Sequence, residues 1–90
     1  PYRVWLLLKG VFVNYHISTP MQLAHTLRDV RKSRGLSQDA AGKLVGLLPK
    51  TISSLENHPE SASIESLLKL LSALDLELLV SHKNKNSEDW

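Results

Sequence analysis

Apolar residues recur at helical spacing through most of this chain, and its two ends break the pattern. From Thr19 to Arg34, Leu23, Ala24, Leu27, Val30 and Arg31 recur every three to four positions, which predicts a helix with one buried face. Thr19-Pro20-Met21-Gln22 opens it as a capping box with Pro in the first helical position, and Gly35 ends it. A second helix over 38–45 starts at the N-cap Ser37 and places Ala40, Ala41, Leu44 and Val45 at helical spacing. Gly46 follows, where a left-handed residue ends a helix without a Cβ clash. A third helix over 49–57 turns Ile52 and Leu55 inward and leaves Thr51, Ser53, Ser54 and Asn57 as short polar groups. His58-Pro59-Glu60-Ser61 reads as a loop, because Pro59 biases the residue before it away from helix. A fourth helix runs from Ile64 to about Leu74. Ser63 caps it, Glu65 suits its positive end, and Leu67, Leu68, Leu70, Leu71 and Leu74 form its apolar side.

Leu76-Glu77-Leu78-Leu79-Val80 is short and apolar, and it follows Asp75, which can stop the helix. It is expected as a strand. A lone strand cannot satisfy its own backbone groups, so its expected partner is the same strand of a second copy across a two-fold axis. Pairing with the N-terminal segment and continuation of the fourth helix are the alternatives. Pro1 to Tyr15 is rich in Val, Leu, Trp, Phe and Tyr, interrupted by Arg3, Lys9, Gly10 and Asn14. It is too short and too broken for a membrane-spanning helix, and no small-residue cleavage site follows it. Tyr2–Leu8 and Val11–Tyr15 read as marginal strands, as an extension outside the domain, or as a misassigned start. The polar stretch from Lys83 to Trp90 is expected to be a flexible tail. The division expected is thus an extension over 1–15, a folded unit over 16–82 and a tail over 83–90.

Ninety residues suit one small domain, which is marginal alone and gains from dimerisation. With no cysteine there is neither a disulfide nor a thiolate metal site, in keeping with a cytoplasmic protein. The net charge is +2. Between His16 and His82 seven Lys/Arg balance seven Asp/Glu, so affinity for nucleic acid must come from how charge is placed. Arg28, Arg31, Lys32 and Arg34 cluster, and the plain reading of that cluster is a solvated helix face. His16, His25, His58 and His82 lack metal-ligand spacing. Glu56 beside Asn57 and His58 makes no catalytic site and is expected in a helix-end or interhelix polar contact. No phosphate loop, nucleophile elbow or paired-carboxylate pattern is present, so neither an enzyme nor a cofactor is expected.

Two short helices joined at Gly46, the second with one small polar face, have the shape that enters a DNA major groove. The stretch Ser37–Asn57 resembles the helix-turn-helix of the Cro/C1-type (XRE) repressors. The match lies in Ser37-Gln38, Gly46, and Thr51-Ile52-Ser53 running into Leu55-Glu56-Asn57. Gly42 departs from it, since the family usually has Ala there, and Gly costs about 1 kcal/mol of helix propensity. Leu48-Pro49 departs too, where the second helix usually begins with polar residues. From Tyr15 to Trp90 the chain is further similar to the HipB-type antitoxins. Tyr15, Thr19-Pro20…Gln22-Leu23-Ala24, Glu56-Asn57-His58-Pro59, the Leu-rich helix, Leu76-Glu77-Leu78 and the terminal Trp90 carry that similarity.

The resemblance implies an all-α, lambda-repressor-like bundle that dimerises through a short C-terminal strand, with Leu76, Leu78 and Val80 at the seam. It implies autorepression at a palindromic operator and neutralisation of a HipA-type serine/threonine kinase toxin. Ser37 and Gln38 open the first helix of the motif. Free amides there can meet a phosphate, although Asp39 opposes this by charge, and Gln38 can reach a phosphate or a base edge. Lys50 can donate to guanine or phosphate, Thr51 can touch a thymine methyl, and Ser53 and Ser54 can contact bases or phosphate. A good base contact discriminates by roughly 1–3 kcal/mol. Asn57 can contact phosphate or cap the chain reversal. Simple solvent exposure is the alternative for Ser53 and Ser54. With Leu48 and Pro49 apolar, shape readout gains weight. Trp90 either stays wet or fills a pocket elsewhere, and the resemblance favours the partner kinase. Two other readings stay open: a stand-alone Cro/C1-type repressor, and an interaction module without DNA binding.

Overall fold

The computed structural model describes residues 14–83. The described residues form four α-helices: α1 (Pro20–Ser33), α2 (Gln38–Val45), α3 (Pro49–Asn57) and α4 (Ile64–Ala73). Side-chain caps set the starts of α1, α2 and α4, whereas α3 begins without one. Thr19 Oγ1 accepts from the Gln22 amide at 3.2 Å, while Gln22 Oε1 accepts from the Thr19 amide at 3.2 Å and the Ser18 amide at 2.6 Å. Ser37 and Ser63 cap α2 and α4 by accepting from the amides of Ala40 and Ser66, each at 3.0 Å. These bonds satisfy amides that the first turn of a helix leaves without an internal partner.

Helix α1 ends in a Schellman turn. Gly35 takes φ +72°, its amide donates to Lys32 O, and the Leu36 amide reaches back to Arg31 O. Helix α4 ends in the same way with a non-glycine residue. Asp75 takes φ +63°, its amide donates to Ser72 O, and the Leu76 amide donates to Leu71 O at 2.8 Å. Asp tolerates this region better than most residues, so α4 stops at Asp75 and does not continue into 76–80.

The core draws on every helix: Leu27 and Val30 from α1, Ala41 from α2, Ile52 and Leu55 from α3, and Leu70 and Leu71 from α4, with Leu74. Leu23, Leu36, Leu47, Leu67 and Leu76 pack around it. Gly42 is explained at this level. A Cβ there would overlap the Leu47 carbonyl oxygen, because the chain folds back after Gly46 and the Leu47 amide donates to Gly42 O at 2.9 Å. The departure from Ala keeps that turn tight.

Several sequence expectations are corrected. Pro59–Ser61 forms a one-turn 3₁₀ helix and not an irregular loop. Leu44, placed on the apolar side of α2, is 63% exposed, and Leu68 of α4 is exposed as well. Helical spacing fixes an angle around the axis, but not whether another element covers it. Among the described residues there is no strand, and 76–83 carry no regular element. Leu76, expected at a dimer seam, packs against the core of its own chain, the usual hydrophobic contact after a Schellman turn. Leu78, Leu79 and Val80 are exposed, Val80 by 95%. The strands expected over 2–8 and 11–15 fall outside the described residues, apart from Asn14 and Tyr15. So does Trp90.

Candidate nucleic-acid interface

The α2–turn–α3 unit is held from beneath by buried charge. Glu56, in the last turn of α3, is 1% exposed. Its Oε2 accepts from Arg31 Nε at 2.6 Å, and its Oε1 accepts from Arg31 Nη2 at 3.0 Å and Gln38 Nε2 at 3.2 Å. Arg31 Nη1 donates to Leu36 O at 2.7 Å. One network therefore ties α1, the connection after it, the first turn of α2 and the last turn of α3. No buried side-chain nitrogen or oxygen among the described residues is left without a partner. Such a pair tolerates burial because its geometry is bidentate and its remaining bonding capacity is used.

A second tie lies beside it. Arg28 Nη2 donates to Glu56 O at 3.1 Å and to Asn57 Oδ1 at 3.0 Å. Asn57 Nδ2 donates to Ser53 O at 2.8 Å and to Ser53 Oγ at 3.3 Å. Both ends of the Asn57 carboxamide thus serve the end of α3, in line with the capping alternative. The basic cluster of α1 is also corrected. Arg31 is buried, Arg28 holds α3, and Arg34 Nη1 donates to Ala73 O at 3.3 Å, so only Lys32 fits a solvated face.

The other end of α3 looks outward. Lys50 is exposed and forms no ion pair with a described residue. Ser54 is exposed on the same helix, while Thr51 and Ser53 are half-buried. Ser37 caps α2 with its hydroxyl, and Gln38 is held by Glu56 at the adjoining helix start. The structure thus brings Ser37, Gln38, Lys50, Thr51, Ser53, Ser54 and Asn57 onto two linked helices, but gives Ser37, Gln38, Ser53 and Asn57 structural bonds as well. Sequence reading expected Glu56 in a helix-end or interhelix polar contact, as found, but did not name Arg31 and Gln38 as its partners. The available signal was Arg31 recurring with Leu27 and Val30 on the buried face, and Glu56 following Ile52 by one turn. Among the described residues no group of His, Cys, Asp and Glu could hold a metal ion, and no helix is long and apolar enough to cross a membrane.

Two helices set by a left-handed glycine turn, with the second fixed on one side and polar on the other, define a helix-turn-helix protein. Residues 27–80 match the family HTH_3, Helix-turn-helix. Antitoxins HipB from two Escherichia coli strains are 36% and 34% identical to this chain over 73 residues, which is 80% of this chain and 78% and 83% of theirs. A solved HipB–O4 20mer complex and a HipA–HipB–O2–O3 complex each superpose with a TM-score of 0.73 at 30% identity, covering 77% of this chain and 97% of the HipB chain. An HTH_3 family transcriptional regulator from Vibrio cholerae superposes at 0.57 with 36% identity, but this chain spans only 33% of it. The chain belongs to the HTH_3 helix-turn-helix family and, within it, to the HipB antitoxins.

Proposed function

We propose that this chain is the antitoxin of a type II toxin–antitoxin system. It represses its own operon as a sequence-specific DNA-binding protein and holds a HipA-type serine/threonine kinase inactive. The observation that carries this reading is the outward face of α3, locked by the Glu56 network, in a chain that aligns with nearly the whole of a solved HipB protein. Lys50 and Thr51 contact base edges, with Ser53 and Ser54 beside them. Ser37 and Gln38 meet phosphate at the start of α2, and Asn57 keeps the end of α3 in place. Free amides at a helix start and short polar side chains suit phosphate, whereas the side chains of a recognition helix's first turn suit base edges.

Two copies present this face twice to a palindromic operator. The exposed Leu78 and Val80 supply the seam by strand pairing across the two-fold, which satisfies backbone groups that a single chain leaves unpaired. Leu76 contributes from beneath, through its own core. Residues 16–82 carry these activities, Trp90 in the tail over 83–90 docks on the kinase, and the protein works in the cytoplasm where its operator lies. Residues 1–15 are assigned no role.

Two measurements test the reading. The chain should retard DNA from the promoter of its own operon, with affinity falling as salt rises because phosphate contacts release counterions. A tagged chain should also retain a co-expressed HipA-type kinase encoded beside it. Salt-independent or absent DNA binding would refute repression, and failure to retain the kinase would leave a stand-alone repressor. Deleting 76–80 should yield a monomer in light scattering.

A further inference from the structure

We infer that Leu48, supported by Pro49, reads the C5-methyl group of a thymine in each operator half-site. This rests on the operator-binding reading of α3 and adds an apolar contact to it. Leu48 is the N-cap residue of α3 and is 64% exposed. It makes no side-chain cap bond, whereas the N-cap residues of α1, α2 and α4 all do. An aliphatic residue is among the poorest choices at an N-cap, and this one gains little burial in return. The adjacent Leu47 already packs against the core, so the interior does not require a second leucine here. Pro49 is exposed as well and fixes the backbone of the first turn.

A single exposed leucine needs no explanation. Here the apolar pair is the leading edge of the helix that carries Lys50 and Thr51, so it continues the proposed DNA face. The first residues of a recognition helix are the ones that meet base edges. Within the major groove, the thymine methyl is the apolar feature that an aliphatic side chain can recognise. Uracil lacks only that methyl and keeps the same hydrogen-bonding edge, which makes it a clean probe.

The full chain is used to select binding sites from a random-sequence duplex pool, and the selected site is resynthesised with uracil replacing thymine one position at a time. One thymine in each half-site should be sensitive, with affinity falling roughly fourfold per half-site, the effect of losing one buried methyl. Leu48→Ser should bind thymine and uracil sites alike while still losing affinity as salt rises. Leu48→Met, which preserves an aliphatic tip, should still discriminate. Circular dichroism of both variants confirms that the helices are intact. Insensitivity of every thymine position overturns the inference and leaves operator binding standing. Full discrimination by Leu48→Ser also overturns it, and assigns the methyl contact to another residue of the α3 face. A protein that selects no DNA at all overturns the operator reading together with the inference.

Discussion

The two ends of α3 are built on opposite principles. At its C-terminal end, Leu55 and Glu56 are fully enclosed, and Glu56 and Asn57 bond to two arginines of α1. At its N-terminal end, Leu48, Pro49 and Lys50 are exposed, and no side chain caps the first turn. A recognition helix needs both conditions. The anchored end fixes its angle to the rest of the domain, and the open end leaves side chains available to a partner. Packing and buried hydrogen bonds supply the first, at sites where a lost partner is costly. Exposure supplies the second, at sites where substitution hardly alters folding.

That contrast can be broken at the anchored end first. Glu56→Ala leaves the Arg31 guanidinium buried without its carboxylate, and should lower stability by about 3–5 kcal/mol. Thermal unfolding at fixed protein concentration checks it, since stability of a dimer depends on concentration. A shift no larger than that of a surface variant would mean that the network is ornamental. Next comes the turn. Gly42→Ala gains helix propensity yet forces a Cβ against the Leu47 carbonyl, and should destabilise by about 1–3 kcal/mol in urea unfolding. At the open end, the sign reverses. Leu48→Ser restores an N-cap oxygen and should raise stability by about 1 kcal/mol in the same assay. The smallest effect on folding belongs to Lys50→Ala, within about 0.5 kcal/mol. Its effect on operator affinity should be far larger, roughly tenfold or more in a titration, by loss of one base or phosphate donor. Unchanged affinity would remove Lys50 from the interface.

Much of the scaffold was legible because it depends on neighbours in sequence. The capping box at Thr19 and Gln22, the caps Ser37 and Ser63, and the turns at Gly35 and Gly46 involve residues within about one helical turn of each other. The candidate site was legible only in outline. Sequence reading put polar residues on one side of α3 and left Asn57 between a phosphate contact and a cap; it took the bonds to Arg28 and Ser53 to show its carboxamide serving the protein. The same reading put Arg31 both on the recurring face of α1 and in a solvated cluster, and could not choose, because the carboxylate that pairs with it lies 25 residues away. It expected Leu76 at a dimer seam and did not show that Leu76 also packs against its own core, because a short apolar run looks the same in both settings.

What the chain alone determined, then, was where each helix starts, stops and turns its apolar face, since short-range backbone bonds and spacing decide those. Only the tertiary structure decided that Glu56 is a buried anchor, that Gly42 is needed under a returning carbonyl, and that Leu44 and Leu48 remain uncovered. Those outcomes depend on which surface another element comes to occupy, and that is a property of helices packed in three dimensions, not of any one segment's periodicity.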